Sequence, residues 1–256
     1  MQLLVSVTGA DEAMDALRGG AEIIDAKDPS AGALGAVDPA TFSTIRAMLD
    51  PDAVVSAALG DAMSSSDVER AAEEMAARGA TFVKIGFAHV ANVARVGELI
   101  ERAIRGCERG RPASGVVAVA YADAARVTAV DARSLVGVAA DCGARGVLVD
   151  TADKTGVGLT ALWTLQQLAD WVGEVHDRGL VAAVAGKLTP DDVAAVRRSG
   201  ADIVGVRGAA CVGGRLGRIS EERVRELRHR LRPECHATVS SRASARDLLS
   251  VARGSL

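Results

Sequence analysis

"DEAMDALRGGAEIIDAK", residues 11–27, joins a segment of helical period to a short apolar run through a pair of glycines. The spacing of its apolar residues predicts a helix that closes in a left-handed cap at Gly19, followed at once by a buried strand. Similar units recur along the chain, and their predicted caps are Gly79, Gly143, Gly179 and Gly200. Strand–helix alternation of this kind favours a parallel sheet covered by helices.

The number of strand-length apolar runs narrows the choice of fold. The runs span residues 2–7, 22–27, 53–59, 81–87, 115–122, 146–151, 180–186 and 202–208. Eight such runs match a (β/α)8 TIM barrel in count and size. A doubly wound open sheet is the alternative, but "VTGADEA" after the first run lacks its G-x-G-x-x-G loop. We therefore predict a single α/β TIM barrel over residues 1–232 and a short C-terminal extension over residues 233–256.

Composition argues against several classes of protein. The chain has 256 residues, 25% of them charged, and a net charge of -3, whereas a nucleic-acid surface favours a basic stripe. It contains neither an apolar run of about 18 residues nor a signal-peptide pattern at its start. We therefore expect a cytoplasmic protein with no membrane or nucleic-acid partner, and barrels of this size often form homo-oligomers. The four scattered cysteines predict free thiols and no metal site.

Lysine is rare in this chain, and its placement is selective. Only four of the 30 lysine and arginine residues are lysine, and each lies at or just past the C-terminal end of a predicted strand: Lys27, Lys84, Lys154 and Lys187. Barrel active sites are built at that end of the strands. Arginine stays charged, whereas burial can lower the pKa of lysine until a free amine exists. The pattern predicts chemistry that needs an amine; the alternative is that the lysines only bind phosphate or pair with carboxylates.

Side-chain parity indicates which of these residues meet. Strand side chains alternate between faces, so Asp25 and Lys27 share the inward face of their strand, as do Asp150 and Lys154 of theirs. Strands two, four and six supply the same interior layers of a barrel. We therefore expect these four residues and Lys84 to converge at the barrel mouth, where neighbouring ammonium groups would make one lysine nucleophilic.

The segments after strands seven and eight are rich in glycine. They read "AGKL" at residues 185–188 and "VRGAACVGGRLGR" at residues 206–218. The corresponding loops of TIM barrels commonly bind phosphate, although a glycine-rich stretch can also be a flexible turn. The predicted phosphate-binding residues are Gly186, Lys187, Arg207 and Gly208.

Longer motifs resemble one family. "LLVSV…EAMDALRGGAEIIDAKDPSAGALGA" is similar to the start of the (5-formylfuran-3-yl)methyl phosphate synthases of methanofuran biosynthesis. The similarity continues through "FVKIGF", "GVLVDTADKTG" and "VAGKL" and covers most of residues 3–210. Its most specific part is D-x-K-D-P-x-x-G-x-L-G-A, residues 25–36. The resemblance implies a barrel enzyme that condenses two molecules of glyceraldehyde 3-phosphate, losing phosphate and water, without a metal or organic cofactor.

The same resemblance implies roles for individual residues. Lys27 would form a Schiff base with the substrate, and Lys84 would accept a proton. Asp25, Asp150 and Lys154 match further active-site positions of the family. The residues alone leave two other functions open: an aldolase or sugar-phosphate isomerase that shares the reactive lysine, and a non-catalytic sugar-phosphate-binding protein.

Overall fold

A computed structural model describes residues 1–61 and 64–232 of the chain. Eight parallel strands form a closed barrel in which each strand pairs with the next and the last pairs with the first. They are β1 (Gln2–Val7), β2 (Ile23–Ala26), β3 (Val54–Asp61), β4 (Phe82–Gly86), β5 (Gly115–Tyr121), β6 (Gly146–Asp150), β7 (Val181–Val184) and β8 (Ile203–Val206). The predicted TIM barrel is confirmed.

Helices connect the strands on the outside of the barrel. They are α1 (Ala10–Arg18), α2 (Pro39–Ala47), α3 (Ser65–Ala77), α4 (Val93–Gly110), α5 (Ala132–Asp141), α6 (Leu159–Leu162), α7 (Leu165–Asp177), α8 (Pro190–Val196) and α9 (Glu221–Arg230). Short 3-10 turns span Pro29–Ala31, Ala124–Val127, Arg197–Ser199 and Gly208–Ala210. After β8, the two-residue strands β9 (Cys211–Val212) and β10 (Arg218–Ile219) pair in an antiparallel hairpin.

The turn between α1 and β2 differs from the prediction in one residue. Gly19 has an ordinary helical conformation, with φ of −72°, and the left-handed residue is Gly20, with φ of +97°. Gly19 is needed for a different reason, because a Cβ there would lie 2.5 Å from the Cβ of Val224 in α9. The first glycine therefore permits close helix packing, and the second makes the turn.

Alternation along the strands divides the core into two parts. Ile24 and Ala26 face outward and pack in the large cluster between strands and helices, which also holds Trp171. Ile23 faces inward and belongs to a smaller cluster inside the barrel. Because Asp25 shares the parity of Ile23, the strand that buries two apolar residues outside places a carboxylate inside.

The predicted C-terminal extension, residues 233–256, lies outside the described residues. The last described helix, α9, packs against α1 and α8 and completes the helical layer. Within residues 1–61 and 64–232, none of the helices combines the length and the apolar character that crossing a membrane requires.

Candidate active site

A cavity of about 390 Å³ lies inside the carboxyl end of the barrel. This volume falls in the range of about 300–1,000 Å³ that is typical of small-molecule sites. Its polar lining includes all five residues for which the sequence predicts catalytic roles: Asp25, Lys27, Lys84, Asp150 and Lys154. Their side chains come from β2, β4, β6 and the turns that follow β2 and β6, so the structure brings the predicted set together.

The floor of the cavity holds a row of polar residues on neighbouring strands. Strand register places Asp25 of β2 between Ser6 of β1 and Ser56 of β3. Both serine hydroxyls donate to the Asp25 carboxylate, at 2.8 Å from Ser6 and 2.6 Å from Ser56. All three residues are buried. Two hydroxyl donors thus fix the orientation of a carboxylate that water does not reach.

Sequence reasoning missed both serines. The available signal was their inward parity, since each interrupts a run of apolar residues in "QLLVSV" and "AVVSAAL". A small hydroxyl side chain on that face leaves room for contacts between the strands on either side. The consequence is visible at β3, where Asp25 of β2 reaches across Ser56 to a residue of β4.

That residue is Lys84. Its Nζ lies 2.6 Å from Oδ1 of Asp25, and the two side chains are 5% and 0% exposed. The buried carboxylate thus contacts two hydroxyl donors and one ammonium, which balances its charge. Removing either partner would leave an uncompensated charge inside the barrel. The pair places a proton donor and a proton acceptor in direct contact on one wall of the cavity.

A second ion pair occupies the wall formed by β6. Nζ of Lys154 lies 2.6 Å from Oδ1 of Asp150, which also accepts a hydrogen bond from the Thr151 backbone N–H at 2.7 Å. Burial alone would raise the pKa of the Asp150 carboxyl, but the nearby charges of Lys154 and Lys27 outweigh it and hold this pKa below its usual range. Asp150 is therefore an anion at neutral pH.

The turn that carries Lys154 is held by carboxylates of its own. Asp123, just after β5, accepts hydrogen bonds from the backbone N–H groups of Ala152 at 2.7 Å and Asp153 at 2.9 Å. Asp153 in turn accepts from the N–H groups of Thr155 and Gly156. These contacts bend the chain sharply after β6, and the bend returns the Lys154 side chain to Asp150, four residues earlier.

Lys27 differs from Lys84 and Lys154 because no carboxylate lies within ion-pair distance of it among the described residues. Its Nζ donates to the backbone carbonyl of Ala33 at a long 3.4 Å, and the residue is 8% exposed. The pKa of this ammonium is lowered from 10.5 to about 8, and burial is the largest cause. The positive charges of Lys84 and Lys154 act in the same direction as burial, and the carboxylates Asp150 and Asp25 oppose it.

The loop after Lys27 explains its motif. Asp28 accepts a hydrogen bond from the Ser30 N–H at 2.8 Å and caps a 3-10 turn that begins with Pro29. The chain then doubles back, and the Asp28 N–H donates to the carbonyl of Gly35 at 3.1 Å. A Cβ at Gly35 would lie 1.9 Å from the Asp28 carbonyl oxygen, so only glycine fits there. The loop thereby folds Leu34 into the cavity beside Lys27.

Another polar contact lies beyond the Lys84 end of β4. The Tyr121 hydroxyl donates to Oδ1 of Asp61, and the Ala88 N–H donates to the same oxygen at 3.2 Å. Burial and the Asp61 charge raise the pKa of Tyr121, which therefore stays a neutral donor. A Cβ at Gly86 would lie 2.1 Å from that Asp61 oxygen. Glycine at the end of "VKIG" makes room for this pair.

The predicted phosphate-binding residues line the cavity at the ends of β7 and β8. Gly186, Lys187 and Gly208 are all in its wall. Gly186 has φ of +115°, and its carbonyl accepts a hydrogen bond from the Leu159 N–H at 2.9 Å, which ties the β7 loop to the start of α6. The Lys187 ammonium donates to the carbonyl of Gly156, so this exposed side chain lies toward the β6 loop.

Arg207 is placed differently from the prediction that it contacts phosphate. Its guanidinium is buried against Glu12, with Nη1 2.9 Å from Oε2 and Nη2 3.4 Å from Oε1. The remaining N–H groups donate to the carbonyls of Ser6, Arg215 and Gly217 at 2.8–3.0 Å. A guanidinium has five N–H donors, and all five are used within the protein. Arg207 therefore holds the β8 loop rather than offering a donor to a ligand.

Glu12 and Arg215 are the other residues that sequence reasoning missed in this region. Burial would raise the pKa of the Glu12 carboxyl, but its hydrogen bonds to Arg207 and Thr8 lower the pKa below its usual value. Arg215, between β9 and β10, lines the cavity. It donates to the carbonyls of Pro29 and Gly32 at 2.6 Å each, across the mouth of the barrel. A tight hairpin with no regular pattern gave no signal for this contact.

In residues 1–61 and 64–232, the histidine, cysteine, aspartate and glutamate side chains form no group of three or more that could hold a metal ion. The polar lining of the cavity consists of amines, carboxylates, hydroxyls and guanidinium groups.

The chain is similar to known proteins over most of its length. Residues 3–228 match the model of the family described as 4-HFC-P synthase. The chain belongs to the 4-HFC-P synthase family. The (5-formylfuran-3-yl)methyl phosphate synthase of Methanothermobacter thermautotrophicus is 38% identical over 234 residues, which are 90% of this chain and 99% of the relative. The synthase of the same name from Methanocaldococcus jannaschii is 39% identical over 231 residues, covering 89% of this chain and 98% of the relative. The resemblance predicted from the motifs is confirmed, and family membership supports an enzyme.

Similar solved structures agree on the architecture. A 3-hexulose-6-phosphate synthase superposes with a TM-score of 0.63 at 20% identity, over 91% of this chain and all of the other. The phosphoribosyl anthranilate isomerase of Thermus thermophilus gives 0.59 at 16% identity, over 90% and 98% of the two chains. At these identities the similarity establishes the barrel fold alone.

Proposed function

We propose that this chain condenses two molecules of glyceraldehyde 3-phosphate to (5-formylfuran-3-yl)methyl phosphate through a Schiff base on Lys27. The observation that carries the proposal is the difference between three lysines that line the cavity. Lys84 and Lys154 each contact a carboxylate at 2.6 Å, whereas Lys27 has no such partner among the described residues and its pKa is lowered to about 8. Family membership supports the same reaction, because relatives matched over most of their length carry that name.

The first step is imine formation. The Lys27 amine attacks the aldehyde carbon of one triose phosphate, and the carbinolamine loses water to give an iminium ion. Asp25 assists the proton movements of this dehydration, since its carboxylate lies beside both Lys84 and the Lys27 strand end. The iminium is an electron sink, so the neighbouring carbon becomes acidic. Lys84 removes that proton as a neutral amine, after its own proton has passed to Asp25 in contact with it, and leaves an enamine.

The enamine then expels the phosphate from the adjacent carbon and leaves an enol, whose terminal carbon is nucleophilic. The second triose phosphate reacts as its ketone tautomer: the new carbon–carbon bond forms between that terminal carbon and the ketone carbon, whose oxygen takes up a proton. Asp150 and Lys154, paired on the β6 wall, carry protons in these steps and in the later dehydration. Hydrolysis of the imine frees Lys27, and ring closure gives the furan. The atoms balance when one phosphate and two waters leave from two triose phosphates.

Substrate phosphate is proposed to bind at the ends of β7 and β8. Gly186, Lys187 and Gly208 line the cavity there, next to the short turn Gly208–Ala210 and the start of α8. Backbone N–H groups in glycine-rich loops approach a phosphate closely, and a lysine adds a point charge.

Trapping with borohydride tests the role of Lys27. The chain is incubated with glyceraldehyde 3-phosphate and sodium borohydride, digested, and analysed by mass spectrometry. A reduced triose phosphate adduct on Lys27 is expected, because hydride reduces the iminium to a stable secondary amine. Absence of the adduct, with substrate present in excess, would contradict the Schiff base.

Identification of the product separates this function from the alternatives. A conjugated furan aldehyde absorbs strongly in the near ultraviolet, whereas an aldol or isomerised sugar phosphate does not. Release of inorganic phosphate with growth of that absorbance supports the condensation. Substrate consumption without either signal would indicate an aldolase or isomerase, and binding without consumption would indicate a sugar-phosphate-binding protein.

A further inference from the structure

The cations that line the cavity differ in how their charges are balanced. Lys84 is paired with Asp25, Lys154 with Asp150, and Arg207 with Glu12. Each of these three positive charges is thus matched by a carboxylate in direct contact and contributes little to attracting an anion. The lining cations without a carboxylate partner, among the described residues, are Lys27, Lys187 and Arg215. Lys27 is the proposed nucleophile, which leaves two cations for another task.

The Arg215 guanidinium has N–H donors that are not used within the described part of the chain. Its two hydrogen bonds go to the neutral carbonyls of Pro29 and Gly32 and leave three of the five guanidinium N–H groups without an acceptor among the residues that the structure describes. Burial lowers the pKa of this guanidinium, but arginine remains protonated at any physiological pH. A partly buried, charged donor with free N–H groups inside a polar cavity is suited to a phosphate group, whose oxygens match the guanidinium fork.

The position of Arg215 is built into the fold. Nε of Arg207 donates to the Arg215 carbonyl at 2.8 Å, and Arg207 is itself anchored by Glu12 from α1. The tight hairpin around Arg215 requires glycine, since a Cβ at Gly217 would lie 1.8 Å from the Val212 carbonyl oxygen. Arg207, which the sequence suggested as a phosphate ligand, thus positions Arg215 through this hydrogen bond.

We infer that Arg215 binds the phosphate of one of the two triose phosphates, and that Lys187 binds the other. The inference rests on the proposed function, because that reaction brings two phosphate groups of about −2 charge each into one cavity. The two cations are supplied by different loops, Lys187 by the one after β7 and Arg215 by the hairpin after β8. Two separate phosphate positions would keep two like-charged substrates apart while their carbonyl ends meet near Lys27.

Titration with glycerol 3-phosphate tests this inference without any chemistry, because this ester has a phosphate but no carbonyl to react with Lys27. Isothermal calorimetry of the wild-type chain should give two molecules bound per chain. Arg215→Met should weaken one of the two sites by about 10-fold or more, the usual effect of losing a charged hydrogen bond. Arg215→Lys should fall between the two. Arg218→Met is the matched control: it removes a charge from the same hairpin outside the cavity and should bind as the wild type does.

A wild-type stoichiometry of one, or an Arg215→Met chain with both affinities within twofold of wild type, would overturn the inference. Borohydride trapping with D-glyceraldehyde, which has no phosphate, separates ligand binding from a purely structural clamp on the Lys27 loop. Arg215→Met should trap this aldehyde at the wild-type rate and glyceraldehyde 3-phosphate more slowly. An equal loss with both aldehydes would show that Arg215 only holds the loop, whereas failure of the proposed condensation would leave the two-site binding unchanged.

Discussion

Replacement of Lys27 by methionine should make the protein more stable while abolishing its proposed reaction. Methionine has nearly the same length and no charge, so it can fill the site at the end of β2 without requiring an ammonium to be buried. The pKa of Lys27 falls from 10.5 to about 8 in the folded chain, and burial is the largest cause. One pKa unit corresponds to about 1.4 kcal/mol. At pH 7 the buried ammonium therefore destabilises the fold by about 3 kcal/mol.

The sign of the pH dependence follows from the same pKa values. Between pH 8 and 10.5 the unfolded chain binds a proton at Lys27 that the folded chain has released. The free energy of unfolding of the wild type therefore increases relative to that of the Lys27→Met variant as the pH rises through this window. The advantage of Lys27→Met should be about 3 kcal/mol larger at pH 7 than at pH 10.5.

Urea unfolding, followed by the fluorescence of Trp163 and Trp171, measures this difference at the two pH values. Lys187→Met is the matched control: its side chain is exposed, so its stability relative to wild type should change little with pH. A Lys27→Met chain less stable than wild type at pH 7, or an advantage that is the same at both pH values, would refute the reasoning that burial sets the amine free.

Three further predictions, which use five substitutions, test the rest of the site. Lys27→Arg should stay folded and bind glycerol 3-phosphate, but it should give no borohydride adduct and no furan absorbance because a guanidinium forms no imine. Lys187→Arg should keep substantial kcat and raise KM. Similar kinetics in the two variants would make Lys27 a binding residue. The rate of borohydride trapping should rise with pH around an inflection near pH 8. Asp150→Asn should lower the pH of this inflection because it removes a negative charge that raises the Lys27 pKa, and Lys84→Gln should raise it because it removes a positive charge that lowers this pKa. Shifts of the two variants in the same direction would contradict this assignment. Asp25→Asn leaves the buried Lys84 ammonium without its carboxylate and should lower the free energy of unfolding by about 3 kcal/mol or more, as measured by urea titration; an unchanged midpoint would show that the pair is not stabilising.

Periodic features of the fold and site could be predicted from the sequence. Every predicted strand overlaps an observed one, because alternating apolar residues record which face of a strand is buried. The convergence of Lys27, Lys84 and Lys154 followed from the same parity together with the closure of the barrel. Which lysine pairs with which carboxylate could not be predicted from this parity. Nothing in the residue order says that Asp25 contacts Lys84 on β4 rather than Lys27 on its own strand.

Contacts made by irregular loops were also beyond sequence reasoning. Arg207 was correctly placed at the cavity, but its donors are all taken by Glu12 and three carbonyls, which depends on how the hairpin after β8 folds. Arg215 belongs to a run of glycines and arginines in which no periodicity marks one residue as special. Such positions are set by a few close approaches between backbones, for example that of Gly217 to Val212, and these approaches leave no repeating pattern.

The arrangement of charges explains why one lysine of three is suited to react. Asp25 and Asp150 are both in direct contact with an ammonium, Lys84 and Lys154 respectively, so neither carboxylate is left to hold the proton of Lys27. Lys27 still feels their fields, but burial and two neighbouring ammonium groups outweigh them, and its pKa falls to about 8. At pH 7 about one-tenth of such an amine is unprotonated, about 300 times the fraction for a pKa of 10.5. The two ion pairs thus have two effects. They neutralise most of the charge that lines the cavity, and they leave Lys27 without a carboxylate in direct contact among the described residues. An arginine at either paired position would keep the charge balance but could not exchange a proton with the substrate, which is a physical reason for lysine at all three positions in a chain that otherwise uses arginine.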